Sequence, residues 1–259
     1  TVLNAFPMNF THVLLTRPRP QSGELAAMLR PLGLEVVIQP AFSFSAVDAQ
    51  AEQPGELKAL QGASADDLAV FTSPRSVEYG LPQLSSAVLS RIRVAAIGPS
   101  TARALKAAGI RVDVQPKRGY TSEDLLETLA SGNSRPGPKK AFIVTAPGGR
   151  KKLARSLVRK EWDVSKLMVY RSDPEPLDRD ALDSLQAADG ILSVWTSAHS
   201  MKALSQRLPP KAWFRICQGE WLVISGRLER LARAYAPSEI HLSSAPDNTA
   251  ILAAIRNLA

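Results

Sequence analysis

Small polar residues directly follow several apolar segments of this 259-residue chain. They are Thr16-Arg17, Thr72-Ser73, Gly98-Pro-Ser-Thr101, Thr145, Thr196-Ser197 and Ser225-Gly226. Hydroxyl groups and the free backbone N–H groups of a helix start can bind an anion, and an arginine can bind a carboxylate through two parallel hydrogen bonds. These residue types therefore predict the capture of several negative charges. For any one serine or threonine a role as a helix cap alone is the better interpretation, but their recurrence favours anion binding for the set.

The polar segments belong to longer blocks that recur in the second half of the chain, in the same order and at nearly constant spacing. The recurring pairs are His12-Val-Leu-Leu-Thr-Arg-Pro18 with Ala141-Phe-Ile-Val-Thr-Ala-Pro147, Phe71-Thr-Ser-Pro-Arg-Ser-Val77 with Trp195-Thr-Ser-Ala-His-Ser-Met201, Ala96-Ile-Gly-Pro-Ser-Thr-Ala102 with Val223-Ile-Ser-Gly-Arg-Leu-Glu229, and Ser122-Glu-Asp-Leu-Leu-Glu-Thr-Leu129 with Thr249-Ala-Ile-Leu-Ala-Ala-Ile255. The period is far longer than that of a solenoid repeat, which indicates a duplicated domain. The duplication predicts two like lobes that face one cleft.

Strand and helix signals alternate along both halves. Short apolar runs predict strands at 13–15, 36–38, 68–71, 94–97 and 112–114, and again at 142–144, 167–169, 191–194, 222–224 and 240–242. Ser22 is predicted to cap the first helix and Gly33 to end it, while Ser100 is predicted to cap a helix that ends at Gly109. The resulting fold class is α/β, with two open parallel sheets and helices on both faces. Ligands bind such sheets beyond the carboxyl ends of the strands, where the polar segments lie.

The charge balance favours an acidic partner. The net charge is +8 and the isoelectric point is near 9.8, which suits a nucleic acid, a membrane surface or an acidic small molecule. The densest basic groups are Arg150-Lys-Lys152 with Arg155, and Arg227 with Arg230 and Arg233. Solvated helix faces are the better interpretation of both groups. Zinc-finger spacing, an aromatic RNA-binding signature and a long basic tail are all missing from the sequence, so we expect no nucleic-acid partner.

The same sequence predicts a cytoplasmic protein without a membrane segment. Residues Thr1 to Phe10 lack both a basic start and a long apolar run, so they do not resemble a secretory signal. Apolar stretches stay well below the roughly 20 residues that span a bilayer. The single cysteine, Cys217, cannot form an internal disulfide and cannot build a metal site alone.

Five of these motifs together resemble the uroporphyrinogen-III synthase family. They are Thr16-Arg-Pro18, Phe71-Thr-Ser-Pro-Arg-Ser-Val77, Ile97-Gly-Pro-Ser-Thr-Ala102, Val169-Tyr-Arg171 and Trp195-Thr-Ser197, and the resemblance extends from about Val13 to Leu258. It implies that the first strand and helix join the C-terminal half. Lobe one would hold residues 1–38 and 174–259, lobe two would hold 45–166, and a two-stranded hinge at 39–44 and 167–173 would join them.

The resemblance also implies a reaction. The family substrate, hydroxymethylbilane, is a linear tetrapyrrole with eight carboxylates, and the enzyme closes it to uroporphyrinogen III with inversion of ring D and loss of water. The family uses neither a metal nor an organic cofactor. We therefore expect a cofactor-independent lyase that acts as a monomer, with a transient contact to the deaminase that makes its substrate. Positioning of a flexible polyanion should matter more than a strong acid or base.

The family match assigns expected roles to particular residues. Tyr170 is the candidate acid that assists loss of the hydroxyl, with packing at the hinge as its alternative role. Arg17 is the best candidate for a substrate carboxylate, with a structural ion pair as its alternative role. The full set of expected substrate-binding residues is Arg17, Thr72, Ser73, Ser100, Thr101, Thr145, Thr196, Ser197 and Ser225.

Some features depart from the family pattern or leave alternatives open. The second half has Ile224-Ser-Gly-Arg227 where many members repeat Ile-Gly-Pro, and Leu228 stands where a hydroxyl residue is common. The three histidines, His12, His199 and His241, lack a nucleophile or carboxylate at motif spacing, so structural roles are expected. A non-catalytic two-lobed binding or sensor module for an acidic small molecule is the alternative function, and a nucleic-acid-binding protein is a third hypothesis.

Overall fold

The computed structural model describes residues 9–119, 121–130, 139–149 and 151–258; residues 1–8 and Arg150 lie outside these ranges. The strands in chain order are β1 (His12–Leu15), β2 (Glu35–Ile38), β3 (Phe42–Ala46), β4 (Leu68–Phe71), β5 (Arg93–Ala96), β6 (Lys139–Thr145), β7 (Trp162–Met168), β8 (Tyr170–Pro174), β9 (Ile191–Trp195), β10 (Glu220–Val223) and β11 (Glu239–Leu242). The helices are α1 (Arg19–Leu29), α2 (Ala49–Glu52), α3 (Pro54–Gln61), α4 (Pro74–Gly80), α5 (Ser86–Arg91), α6 (Pro99–Ala107), α7 (Ser122–Ala130), α8 (Lys151–Arg159), α9 (Arg179–Ala187), α10 (Ala198–Arg207), α11 (Pro210–Gln218), α12 (Gly226–Ala232) and α13 (Asn248–Arg256). Within the described ranges, none of the helices combines the length and the apolar character that crossing a lipid bilayer requires.

The chain folds into two units. The first holds Thr1–Ser43 with Asp173–Ala259, and the second holds Phe44–Ser172. The chain passes from one unit to the other within β3 and again within β8, and these two strands pair as a two-stranded sheet. β3 begins only at Phe42, because Pro40 has no N–H to donate to a strand partner.

Each unit contains one parallel sheet. The first has the strand order β11-β10-β9-β1-β2, and the second has the order β5-β4-β6-β7. The sequence blocks make β1 equivalent to β6, β9 to β4 and β10 to β5, so equivalent strands occupy equivalent places in the two sheets. The fold class is therefore confirmed: both sheets are open and parallel, and equivalent sequence blocks build them.

Helices cover both faces of each sheet because the central strands are apolar on both sides. In the first unit Val13 and Leu15 pack with residues of α1 and α13, while Leu14 packs on the opposite face with residues of α9, α10 and α11. In the second unit Leu68 and Val70 face α7 and α8, whereas Ala69 and Phe71 face α3, α4 and α6. A fully buried leucine or phenylalanine contributes about 1.5–3 kcal/mol.

Two predicted helix caps are wrong. α1 begins at Arg19 after Pro18, and Ser22 is a buried residue inside that helix whose Oγ donates to the carbonyl of Arg17 at 2.8 Å. α6 begins at Pro99 with Gly98 as its cap, which places Ser100 inside the first turn. In both places a proline fixes the start earlier, because its locked φ and missing N–H suit the first turn of a helix. Gly33 does end the first helical segment, with a φ of 78°.

The strand predicted at 112–114 is also wrong. Backbone hydrogen bonds join Asp113 and Val114 to Val94 and Ala96 of β5, but the pairing amounts to an isolated parallel bridge between Val114 and Ala95. The carboxylate of Asp113 accepts a hydrogen bond from the N–H of Val94 at 2.8 Å and also binds Arg111, so a side chain takes the place of a strand partner there.

Candidate functional site

The second unit places Thr72 and Thr145 at the adjoining carboxyl ends of β4 and β6. The hydroxyl of Thr72 donates to the carbonyl of Val144 at 3.1 Å and lies 3.2 Å from the hydroxyl of Thr145. Both side chains are buried. Their hydroxyls therefore tie the two strand ends together, and in this conformation they do not reach solvent.

Ser73 links the end of β4 to the start of α4. Its Oγ accepts a hydrogen bond from the N–H of Ser76 at 3.1 Å, and the Ser76 hydroxyl accepts one from the N–H of Ser73 at 3.1 Å. This reciprocal pair is a capping box, which fixes the turn after β4. Ser73 remains half-exposed, and its Oγ also lies 3.4 Å from the phenolic oxygen of Tyr170.

Tyr170 lies among aromatic residues at the first position of β8. Its ring is stacked with that of Tyr79 at a centroid distance of 5.7 Å and is tilted against Phe44 at 6.2 Å. Tyr79 is held in turn, because its hydroxyl donates to the carbonyl of Phe44 at 3.2 Å. The ring of Tyr170 thus packs where the chain leaves the second unit, the alternative role weighed from the sequence, and its hydroxyl lies beside a cap serine at a strand end.

The polar residues of α6 separate by exposure. Ser100 is exposed in the first turn, whereas Thr101 is buried with 2% of its surface accessible. A ligand can reach the first hydroxyl directly and cannot reach the second in this conformation. The sequence motif specified the residue types but not how deeply each side chain is buried.

The first unit repeats the serine caps. Ser197 accepts a hydrogen bond from the N–H of Ser200 at the start of α10, and Ser225 accepts one from the N–H of Leu228 at the start of α12. Ser73, Ser197 and Ser225 are therefore helix caps, as the simpler interpretation of each serine holds. In each of them the cap uses the oxygen as an acceptor, which leaves the hydroxyl proton for another partner.

The first unit also buries a threonine at the end of its first strand. The hydroxyl of Thr16 donates to the carbonyl of Val194 at 2.8 Å and ties β1 to β9, as Thr72 ties β4 to β6. Thr196, at the end of β9, stays half-exposed. Leu228, which replaces a hydroxyl residue of the family pattern, is buried in the core and thus has a packing role.

Arg17 follows β1 and is half-buried. One of its terminal nitrogens donates to the Oδ1 of Asn248 at 2.7 Å, and the amide of Asn248 lies 3.2 Å from a carboxylate oxygen of Glu24. Burial lowers the pKa of Arg17 from its ordinary value, while the negative charges of Glu24 and Asp247 act in the opposite direction. The arginine is therefore partly desolvated and positioned by a neutral amide, a setting that strengthens its attraction for an added carboxylate.

Each unit also has an aromatic stack, at the start of α4 in the second unit and of α10 in the first, that sequence reasoning missed. The guanidinium carbon of Arg75 lies 3.4 Å from the ring centroid of Phe44, and the ring of His199 stacks on that of Phe42 at 4.5 Å. Arg75 and His199 occupy the same place in the two copies of one repeated block. That equivalence was visible in the sequence, but the stacking partners were not, because β3 lies far from both helices along the chain.

The sequence family described as uroporphyrinogen-III synthase HemD matches residues 23–253. The chain belongs to the uroporphyrinogen-III synthase family. The family match confirms the resemblance seen in the strand-end motifs.

Individual relatives agree with that assignment. The uroporphyrinogen-III synthase of Escherichia coli K12 is 28% identical over 251 residues, which cover 94% of this chain and 99% of the relative. A putative uroporphyrinogen-III synthase of Methanothermobacter thermautotrophicus is 34% identical over 182 residues, which cover 69% of this chain and 68% of the relative. A crystal structure of mutant uroporphyrinogen III synthase from Thermus thermophilus has a TM-score of 0.67 at 19% identity, covers 96% of this chain and 98% of that protein, and shows the same fold.

Membership of the uroporphyrinogen-III synthase family makes this protein an enzyme of tetrapyrrole biosynthesis that acts on a small tetrapyrrole substrate. None of the matches favours the non-catalytic binding module. The residue-level roles rest on the geometry of the two units.

Proposed function

We propose that this protein closes hydroxymethylbilane to uroporphyrinogen III, with inversion of ring D and release of one water. The observation that carries the proposal is the family match over residues 23–253, which contains the repeated polar strand ends of both units except the first. In enzyme classes it is a lyase that works without a metal or an organic cofactor. Each of two units supplies its own group of contacts. One unit comprises residues 1–38 with 174–259, the other comprises residues 45–166, and segments 39–44 and 167–173 connect them.

Tyr170 is the proposed acid. Its phenol gives a proton to the departing hydroxyl of the substrate, which leaves as water and produces an electrophilic azafulvene. The substituted carbon of ring D attacks this centre and forms a spiro intermediate. Reopening and re-closure give the III isomer, and the proton lost from the last pyrrole carbon returns to the tyrosinate, so the reaction is balanced. The aromatic packing of Tyr170 supports this role, because it holds the phenol in one orientation.

Carboxylate binding is the larger part of the task. We assign direct contacts to the side chains that solvent reaches: Arg17, Ser73, Ser100, Thr196, Ser197 and Ser225. Thr72, Thr101 and Thr145 belong to the same strand ends, but their side chains are buried. We assign them an indirect role, in which they fix the turns that carry the exposed groups. Hydrogen bonds to a charged partner contribute about 1.5–3 kcal/mol each, so a few of them suffice to hold one substrate conformation.

The proposed setting is the cytoplasm, with the protein acting as a monomer and meeting the deaminase that makes hydroxymethylbilane in a transient contact. The net charge of +8 supports attraction of a substrate with many carboxylates. Nucleic acid is not a proposed partner, since the basic residues are scattered along the chain.

Genetic complementation tests this function in cells. A bacterial strain that lacks its own uroporphyrinogen-III synthase should regain growth without added haem when it expresses this protein, and should not regain it with an empty vector. A strain that produces the folded protein and still accumulates uroporphyrin I would contradict the proposal.

A further inference from the structure

Two equivalent positions of the duplicated fold carry a nitrogen-rich side chain stacked on a phenylalanine of β3. Arg75 is the second residue of α4 in the second unit, and His199 is the second residue of α10 in the first. The two helices follow the equivalent strands β4 and β9. The two equivalent positions therefore carry different residue types, and each side chain stacks on a phenylalanine of the same strand, β3.

In the second unit the guanidinium of Arg75 lies over the ring of Phe44. The guanidinium carbon is 3.4 Å from the ring centroid, which is a close cation–π contact. Arg75 is half-exposed, and among the described residues its guanidinium makes no hydrogen bond or ion pair. An arginine has five N–H donors in the plane of its guanidinium, so stacking on one face leaves the donor edge open.

In the first unit the ring of His199 stacks on Phe42. The centroids are 4.5 Å apart and the planes differ by 14°, so the histidine presents its nitrogens at the edge of the stack. His199 is exposed, and no hydrogen bond joins its nitrogens to another residue in the described part of the chain. Arg75 and His199 are therefore each held by stacking on one face. Their N–H and ring-nitrogen edges have no hydrogen-bond partner among the described residues.

A stacked side chain has already lost most of its rotamer freedom. Fixing an unrestrained arginine costs conformational entropy, and stacking removes part of that cost before a ligand arrives. Arg75 and His199 each lie two residues after a cap serine, Ser73 or Ser197, at the strand end where ligands bind parallel sheets. The group that suits such an edge is a carboxylate.

We propose that Arg75 and His199 each bind a carboxylate of the tetrapyrrole substrate, with Phe44 and Phe42 as the platforms that orient them. The proposal rests on the proposed function, because the ligand is the substrate of that reaction. It changes the expectation for His199, which the sequence assigned to a structural role. Arg75 and His199 bind substrate and take no part in bond making.

The test is steady-state kinetics on purified full-length variants, with hydroxymethylbilane generated in situ and isomers I and III resolved by chromatography. Arg75→Leu should raise KM about tenfold or more with little change in kcat, the signature of lost substrate binding. His199→Leu should raise KM less, and His199→Arg should restore it, because an arginine at this place reproduces the arrangement of the other copy. Arg159→Leu, at the exposed end of α8, controls for the loss of one positive charge.

A purely structural role of the stacks makes a different prediction. If the stack were purely structural, Phe44→Leu, which removes the platform and keeps the charge, would raise KM as much as Arg75→Leu. The proposal predicts that Phe44→Leu raises KM by a smaller factor, at unchanged isomer III yield. If either leucine variant unfolds, Arg75→Lys and His199→Gln provide the same comparison with less disturbance. Values of KM within twofold of wild type for both positions would overturn the proposal while isomer III from the wild type still supports the function; isomer I alone from the wild type would remove the function itself.

Discussion

At the residue scale, several side chains have a structural role here and also the chemical role that we propose. Ser73 caps a helix through its oxygen and also lies beside the hydroxyl of Tyr170. Arg17 is fixed by Asn248 yet keeps further N–H donors. Replacement of such a residue changes both roles, so kinetic constants have to be read together with stability.

Tyr170 and Arg17 should differ in the kinetic constant they affect. Tyr170→Phe keeps the ring stacking and removes only the hydroxyl, so kcat should fall about 10²-fold or more while KM changes little. Arg17→Ala should raise KM about tenfold or more, because it removes a carboxylate contact. Steady-state kinetics on both variants makes the comparison. A large rise in KM for Tyr170→Phe with unchanged kcat would contradict the role as an acid.

Cys217 should react slowly with alkylating reagents. Burial raises the pKa of its thiol from 9.0 to about 11, so at pH 8 the reactive thiolate is about a hundredfold rarer than in an unperturbed thiol. The folded state favours the protonated thiol, so this group contributes no pH dependence to stability below pH 9 and lowers stability as the pH rises from about 9 towards 11. Iodoacetamide labelling followed by mass spectrometry measures the rate, with protein in denaturant as the control. Equal rates in both states would show the prediction to be wrong.

Residue types were easier to predict than residue environments. The sequence identified Ser73, Ser197 and Ser225 at helix starts because cap residues have a strong local signature. It could not separate exposed Ser100 from buried Thr101, since burial depends on how α6 packs against the sheet. It also missed the Phe42 and Phe44 platforms, which belong to a strand remote along the chain.

At the element scale, strands and turns match the sequence where a local signal exists. The apolar runs at 13–15, 68–71 and 191–194 fall within β1, β4 and β9 because parallel strands buried on both faces are continuously apolar. The helix starts differ from the prediction where Pro20 and Pro99 lie in the first turn. The segment at 112–114 forms an isolated bridge and not a strand, and the N–H of Val94 beside it binds the carboxylate of Asp113 in place of a backbone carbonyl.

Gly190 should tolerate no larger residue before β9. Its φ is +84°, and a Cβ there would overlap the backbone oxygen of Asn9. Gly190→Ala should therefore lower the free energy of unfolding by about 2 kcal/mol or more through backbone strain and displacement of the segment before β1. Denaturant titration measures the change.

Gly23 provides the matched control for this substitution. It lies within α1 with nothing inside 4 Å of the Cβ position, so Gly23→Ala should stabilise the protein by about 0.5–1 kcal/mol. If both variants change stability by the same small amount, the backbone at Gly190 does not impose the constraint.

At the scale of the whole molecule, duplication explains why the same polar residue types occur at the strand ends of both units. The two sheets share one strand order, so each unit presents cap serines at equivalent strand ends. The repeat itself could be recognised from the sequence. That the first strand joins the C-terminal segments was implied by the family resemblance alone, because strand order in a parallel sheet follows from packing across the chain and leaves no local periodicity.

The net charge of +8 is a property of the whole chain that adds to the local contacts. A basic surface attracts a polyanion over a distance of about 10 Å at 0.1 M salt, whereas the partly desolvated Arg17 is screened less. In the proposed function, general attraction raises the rate of encounter, and contacts to the strand-end residues favour one conformation of the bound substrate.

The isomer composition of the product tests the central claim most directly. Hydroxymethylbilane would be generated in situ by its deaminase with and without this protein, and the oxidised uroporphyrins would be separated by chromatography. The account predicts mostly isomer III with the protein and isomer I without it. Isomer I alone, in the presence of protein whose folding has been verified by circular dichroism, would contradict the account.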